Sequence, residues 1–303
     1  MIIYVTALIV VAGYFFYAQR GKFVEILAAA QLRVILLSLA GSVINTIVYS
    51  HIHRIIYRGL GTDISHWEMY RVIYVSRLGN YVPGRFWFAA NYYIFSRKLN
   101  IDGRKIAKTY IIDNSMLFFT AIICALPVIF LLPPSVQKLF IVLPFAILIL
   151  IHPKVLNRFI DTLSSKVRLQ ENSQDGISGP NYTTYIKVFG LYFVIWLVAG
   201  FSMYVVLLAL QQVSIKVIPI CLSASASSTM IGLLAVFAPA GLGVKEGIGV
   251  LVLSQVTSIE TAAVVVAILR INQVITELVC GSISAISLYR EEMNRKTITT
   301  ACS

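Results

Sequence analysis

The chain has 303 residues, of which 58% are hydrophobic and only 13% charged, with a formal net charge of +12 and a mean hydropathy of +0.82. So few charges cannot solvate the surface of a soluble globule, which excludes a soluble enzyme and points to an integral membrane protein. The Lys and Arg residues are scattered over short loops, which excludes a nucleic-acid patch; in a membrane protein they mark the loops retained in the cytoplasm.

The first apolar run is Ile2–Tyr17. It lacks a basic leader and a small-x-small cleavage site, so it is read as a retained span and not as a signal peptide. A helical span needs about 20 mostly apolar residues. Further runs of this kind are Leu32–Tyr49, Tyr110–Leu132, Leu139–Ile151, Val188–Leu210 and Thr261–Leu288, and Val217–Pro239 leads into a glycine-rich break. The basic loops between them are Arg54–Arg58, Arg97–Lys108, Lys154–Arg168 and the tail Arg290–Lys296. Placing these inside puts 15 Lys and Arg in the cytoplasm against four outside, with both termini cytoplasmic. The expected location is the cell (inner, cytoplasmic) membrane, crossed several times.

The stretch SRLGNYVPGRFWF, Ser76–Phe88, does not fit an uninterrupted span. The basic loops before and after it both belong inside. A single crossing over residues 66–96 would put the second loop outside. The segment is therefore expected to enter and return on one side as two half-helices joined at Gly79, Pro83 and Gly84. The second half repeats the design in APAGLGVKEGIGVLVLS, Ala238–Ser254, broken at Pro239, Gly241, Gly243, Gly247 and Gly249. This second broken segment, residues 217–256, returns to the opposite side. Irregular backbone at membrane depth is tolerated where it lines a cavity, and two interrupted segments from opposite faces are the pattern of an inverted-repeat transporter. The expected fold is an all-α membrane protein of about six full transmembrane helices plus two broken re-entrant pairs of opposite orientation. Residues 1–290 form one transmembrane domain, with a cytoplasmic loop at 152–185 and a tail at 291–303.

Charges left inside the membrane region carry the functional reading, since each costs about 2.5–3.5 kcal/mol at the bilayer centre. Arg77, Asn80 and Arg85 flank the first break, Asp113 lies in the next span, and Lys245 and Glu246 sit in the second break. Arg270, Gln273 and Glu277 recur at helical spacing on one face of the last helix. One reading is structural, with the charges cancelling in buried pairs that fix the packing. The other is a substrate site. The cations outnumber the acids by one, which suits an anion, and arginine's planar fork suits phosphate. Arg33 and Arg71 read as snorkelling or interfacial. The small polar run Ser223–Thr229 reads as a close-packing surface or a polar path. The four cysteines have no metal or disulfide spacing, and His51 and His53, without a third ligand, read as interfacial. No metal and no cofactor are expected.

The motifs SRLGNYVPGR, PAGLGVKEG and the arginine of AILRINQ resemble the transmembrane region of the lysylphosphatidylglycerol synthases, a flippase-like domain family. The likeness covers roughly residues 1–290. Pro83, Gly84, Gly241, Gly243, Lys245, Glu246, Gly247 and Arg270 hold the matching positions. The resemblance implies broken helices and the handling of a lipid with a charged or phosphate-bearing headgroup. Two positions depart from it. Arg85-Phe86-Trp87-Phe88 follows the Pro-Gly where the family often has an acid, and Asp113-Asn114 stands where an acid-arginine pair is common. The soluble aminoacyl-transferase domain is absent from this sequence, so synthesis of lysylphosphatidylglycerol is not expected and the chain is read as a non-enzyme. The expected function is flippase-type transport of a phospholipid or polyprenyl-phosphate glycolipid. The alternative is a non-transporting partner that binds a lipid-linked intermediate for a separate glycosyl- or aminoacyl-transferase. The expected partners are anionic membrane lipids, with a cell-envelope biosynthetic enzyme and a second copy of the chain as further candidates.

Overall fold

A computed structural model describes residues 32–81, 86–129, 179–235 and 238–301. Among them are eight α-helices and no strand: α1 (Leu32–Gly59), α2 (His66–Arg77), α3 (Phe86–Lys98), α4 (Gly103–Ile129), α5 (Tyr182–Leu210), α6 (Ile218–Leu234), α7 (Val244–Leu253) and α8 (Ile259–Ala301). The runs Ile2–Tyr17 and Leu139–Ile151, most of the 152–185 loop, and Pro83, Gly84 and Arg85 lie outside the described residues.

Four helices, α1, α4, α5 and α8, have 27 to 43 residues. At 1.5 Å per residue each exceeds the roughly 30 Å of a bilayer core. With α6 and the 3₁₀ turn before it, five segments are long and apolar enough to cross. α1, α4, α5 and α8 begin before or end after the predicted runs, while α6 stops at Leu234, short of the predicted Pro239. α1 continues ten residues past Tyr49, because Ile52, Ile56 and Tyr57 are buried against neighbouring helices. The outward faces are apolar: Leu36, Leu37 and Ile47 on α1, Leu197 and Phe201 on α5, and Ile275, Val279 and Ile283 on α8 are exposed. That pattern suits lipid and not water.

α1 and α5 run antiparallel, with Gly41 beside Ser202 at one end and Gly59 beside Thr184 at the other. α8 lies along α1, where Asn272 Nδ2 donates to Ser38 Oγ at 2.7 Å. Small side chains and polar contacts of this kind hold helices together where lipid removes the hydrophobic drive.

The remaining helices form two hairpins. α2 begins at a capping box, with the Glu68 amide donating to Ser65 Oγ and the Ser65 amide donating to the Glu68 carboxylate. It has 12 residues and α3 has 13, so each is about 20 Å long or less. A 3₁₀ turn, Leu78–Tyr81, ends the first arm. Here Gly79 is needed for contact: a Cβ would lie 2.9 Å from the Trp87 backbone of the returning arm. In the second hairpin α7 folds back beside α6, placing Lys245 against Gly232 and Gly249 against Ser228. Its far end, Leu253, packs with Leu207, Cys221 and Ala262.

The hairpins come from opposite ends of the bundle. The outer ends of α2 and α3 lie with the basic ends of α1 and α4: Arg54 Nε donates to Ile64 O, and Lys105 Nζ donates to Thr62 Oγ1. The outer ends of α6 and α7 lie at the other end, beside Leu207 and Ala262. The two breaks, Leu78–Tyr81 and Pro239–Gly241, touch. They meet near the middle of the apolar stretch Ile259–Glu291 of α8, where Arg270 and Glu277 reach them.

Candidate functional site

The second break is built by backbone torsions. Ala240, Gly241 and Gly243 have φ of 50°, 69° and 83°, so the chain turns left-handed here and cannot continue as helix. Gly241 is fixed twice over, since a Cβ would also lie 3.0 Å from the Gly232 carbonyl oxygen. Gly247 and Gly249, expected in the break, instead sit inside α7, with the Gly247 amide donating to Gly243 O at 2.9 Å in its first turn. Glycine lowers helix propensity by about 1 kcal/mol relative to alanine, which packing overrides.

Side chains from α2, the first 3₁₀ turn, α7 and α8 meet at the breaks. Arg77, at the end of α2, donates to Glu277 Oε1 on α8 at 2.7 Å. Tyr81 Oη donates to the other carboxylate oxygen at 2.7 Å, and Gln273 Nε2 donates to Oε1 at 3.0 Å. Lys245 Nζ donates to Gln273 Oε1 at 2.8 Å. Arg270 pairs with Glu246, Nε to Oε1 at 3.0 Å, and its Nη2 donates to the Ala240 carbonyl at 3.2 Å. Glu246 Oε2 accepts the Gly243 amide at 2.7 Å. The α7 N-terminus is thus partly capped by its own glutamate. The Arg77 guanidinium lies 4.4 Å from the Tyr49 ring centroid and 5.5 Å from that of Tyr74, so two aromatic faces also hold it.

These groups line a cavity of about 230 Å³. Its charged wall is Arg77, Lys245, Arg270, Glu246 and Glu277, three cations against two carboxylates. Lys245 is the cation whose hydrogen-bond partner is a neutral amide and not a carboxylate. The rest of the wall is polar on α1 (Ser42, Asn45, Thr46) and α6 (Ser225, Ser228, Thr229), with Trp196 and Leu269 among the apolar residues. Asn45 Oδ1 is buried without a hydrogen-bond partner among the described residues, an acceptor that a ligand O–H or N–H would satisfy.

Of the sequence-predicted residues, the structure brings Arg77, Lys245, Glu246, Arg270 and Glu277 together on this wall. Asn80 lies in the first break but not on the cavity wall. Asp113 stands one residue behind the wall: Tyr49 Oη donates to Oδ2 at 3.0 Å and Tyr192 Oη to Oδ1, and both tyrosines line the cavity. His53 Nε2 is 3.3 Å from Asp113 Oδ1. His53 is fully buried, not interfacial as its sequence position suggested, because a buried carboxylate and Tyr92 provide its partners. Arg71 is likewise buried and bonded to Glu291 at 2.6 Å, not snorkelling. Part of the Ser223–Thr229 run lines the cavity, and part packs, with Ser223 Oγ donating to Cys124 O. The tyrosines at 49, 74, 81 and 192 were missed. Their signal was phenols inside apolar helices, which need partners when buried.

The model of the family described as the lysylphosphatidylglycerol synthase TM region matches residues 4–281. That covers most of the chain, which therefore belongs to this family. A search of the curated proteins found no match.

Proposed function

We propose that this member of the lysylphosphatidylglycerol synthase transmembrane family is a flippase-type transporter of a lipid with a phosphate-bearing headgroup. One observation carries the reading. A cavity between two helix breaks is walled by three cations and two carboxylates, and one cation, Lys245, is hydrogen-bonded to an amide and to no carboxylate among the described residues. A wall with one positive charge in excess favours an anion in a low-dielectric setting. The cavity suits a headgroup, while the acyl chains remain in lipid against the exposed apolar faces of α1, α5 and α8. In this reading the two hairpins are re-entrant in the cytoplasmic membrane, and the basic ends of α1, α4 and α8 face the cytoplasm. Rocking about the touching breaks exposes the cavity to each leaflet in turn.

The reading is transport and not catalysis, because the buried carboxylates are engaged. Asp113 accepts from two tyrosines, Glu277 from Arg77, Tyr81 and Gln273, and Glu246 holds Arg270 and the Gly243 amide. A second reading, a lipid-binding partner that presents its cargo to another enzyme without moving it, is favoured by the same closed pairs, since Arg77–Glu277 and Arg270–Glu246 tie α8 to both hairpins.

Mass spectrometry of lipids retained by the purified protein tests the reading. One phosphate-bearing lipid enriched over bulk membrane, and lost in Lys245→Met, supports it. A profile equal to bulk lipid in both proteins overturns it.

A further inference from the structure

Behind the cavity wall lies a buried string of polar side chains that headgroup binding does not use, hydrogen-bonded on either side of one ion-pair contact, His53 Nε2 to Asp113 Oδ1, that is not itself a hydrogen bond. It starts at Tyr49 and Tyr192, which line the cavity and donate to Asp113. Asp113 Oδ1 faces His53 Nε2 at 3.3 Å. His53 Nδ1 lies 2.8 Å from Tyr92 Oη, and Tyr92 Oη lies 3.0 Å from Tyr57 Oη. Tyr57 is two residues from the basic end of α1. His53, Asp113, Tyr92 and Tyr57 are each 2% exposed or less. Four helices, α1, α3, α4 and α5, each supply a member. Imidazole is the side chain suited to exchange a proton near neutral pH.

We propose that the His53–Asp113 pair is a proton-binding centre, loaded through Tyr57 and Tyr92, that takes up a proton as the anionic headgroup enters the cavity. The proposal rests on the lipid-transport reading. The string has two polarities. In one, the reverse of the Tyr92-to-Tyr57 donation seen in the structure, Tyr57 donates to Tyr92, Tyr92 donates to His53 Nδ1, and Nε2–H faces the Asp113 carboxylate. A proton arriving at Tyr57 reverses it: Tyr57 gives its own proton to Tyr92, and Tyr92 gives its proton to Nδ1. Each phenol ends with one hydrogen, and His53 ends as an imidazolium opposite the carboxylate.

Charge balance gives the coupling. The wall's excess of one positive charge is balanced at longer range by Asp113 behind it, and a headgroup that takes up this excess leaves Asp113 uncompensated. A phosphodiester headgroup adds one negative charge, and a proton on His53 offsets it. Tyr49 links the two events, hydrogen-bonded to Asp113 at one end with its ring face against Arg77. The other titratable or charged groups around the pair are Tyr74 and Arg77 on α2, Tyr92 on α3, Tyr110 on α4 and Tyr192 on α5. Beside Asp113, no carboxylate stands among them. Coulomb interaction over such distances is strong where water is excluded.

The test uses the full chain in liposomes carrying fluorescently labelled phosphatidylglycerol, with a pH dye inside and an imposed pH gradient. Wild type is expected to exchange the lipid faster with the gradient than without it, and to move protons only when lipid moves. His53→Gln and, as a variant that keeps the ring packing, Tyr92→Phe are expected to exchange lipid at a rate that ignores the gradient, with no proton signal. Unchanged gradient dependence in both variants overturns the proposal. Wild-type exchange that ignores the gradient also overturns it, while leaving the lipid reading in place. No exchange in wild type overturns both.

Discussion

Arg77 and Glu277 stand 200 residues apart in sequence, yet their guanidinium and carboxylate meet at 2.7 Å. The contact joins the first break to the last helix at mid-depth, beside the Lys245–Gln273 bond of the second break. Removing one partner leaves the other charge buried without its counter-charge, at about 3–5 kcal/mol. Arg77→Ala is therefore expected to lower both thermal stability in detergent and lipid exchange. The double variant Arg77→Met/Glu277→Met is expected to recover the stability but not the exchange. Recovery of both would make the pair purely structural.

Lys245 differs because its partner is neutral. Lys245→Met leaves no carboxylate newly unpaired. Its melting temperature is expected to stay close to that of wild type, while retained anionic lipid falls by about tenfold or more, the equivalent of about 1.4 kcal/mol. Native mass spectrometry beside a thermal melt reads both quantities.

At the second break, Gly241→Ala places a Cβ at a φ of 69° and 3.0 Å from the Gly232 carbonyl oxygen. The expected loss is about 1–3 kcal/mol of stability. Ala240→Gly at a φ of 50° is expected to relieve strain, and to be neutral or stabilising. Thermal unfolding of the two variants checks the opposite signs.

Much of the architecture was legible in the sequence because membrane burial leaves few choices. Long apolar runs became α1, α4, α5 and α8, and the Pro239–Gly241 interruption became a 3₁₀ turn between α6 and α7. The basic-loop rule asks the two interrupted segments to return to their own sides, which cysteine labelling from either side of the membrane tests. The charged wall was legible too, since Arg77, Lys245, Glu246, Arg270 and Glu277 stand out against apolar neighbours. What could not be read was pairing. Nothing in the spacing says that His53 meets Asp113 or that Arg71 meets Glu291, because those contacts depend on how helices rotate about their axes. Gly247 was misplaced because a glycine that breaks a helix and one inside its first turn look alike in sequence.

Sidedness has a direct check. Single cysteines at Asp63 and Lys98 lie at the outer ends of the first hairpin, and one at Lys216 lies at the other end of the bundle. Cys124, Cys221 and Cys280 are buried, and Cys302 is replaced by serine. An impermeant maleimide is expected to label Lys216→Cys in intact cells, and the other two only after permeabilisation. Asp63→Cys and Lys98→Cys labelling from opposite sides would show that the first hairpin crosses instead of returning.

The most direct measurement is leaflet exchange of a labelled anionic phospholipid by the purified chain in liposomes, with Lys245→Met and protein-free vesicles alongside. Exchange well above protein-free vesicles for wild type, and lost in Lys245→Met, is the expected result. Wild-type exchange no faster than in protein-free vesicles would contradict a transport role for the cavity between the two breaks.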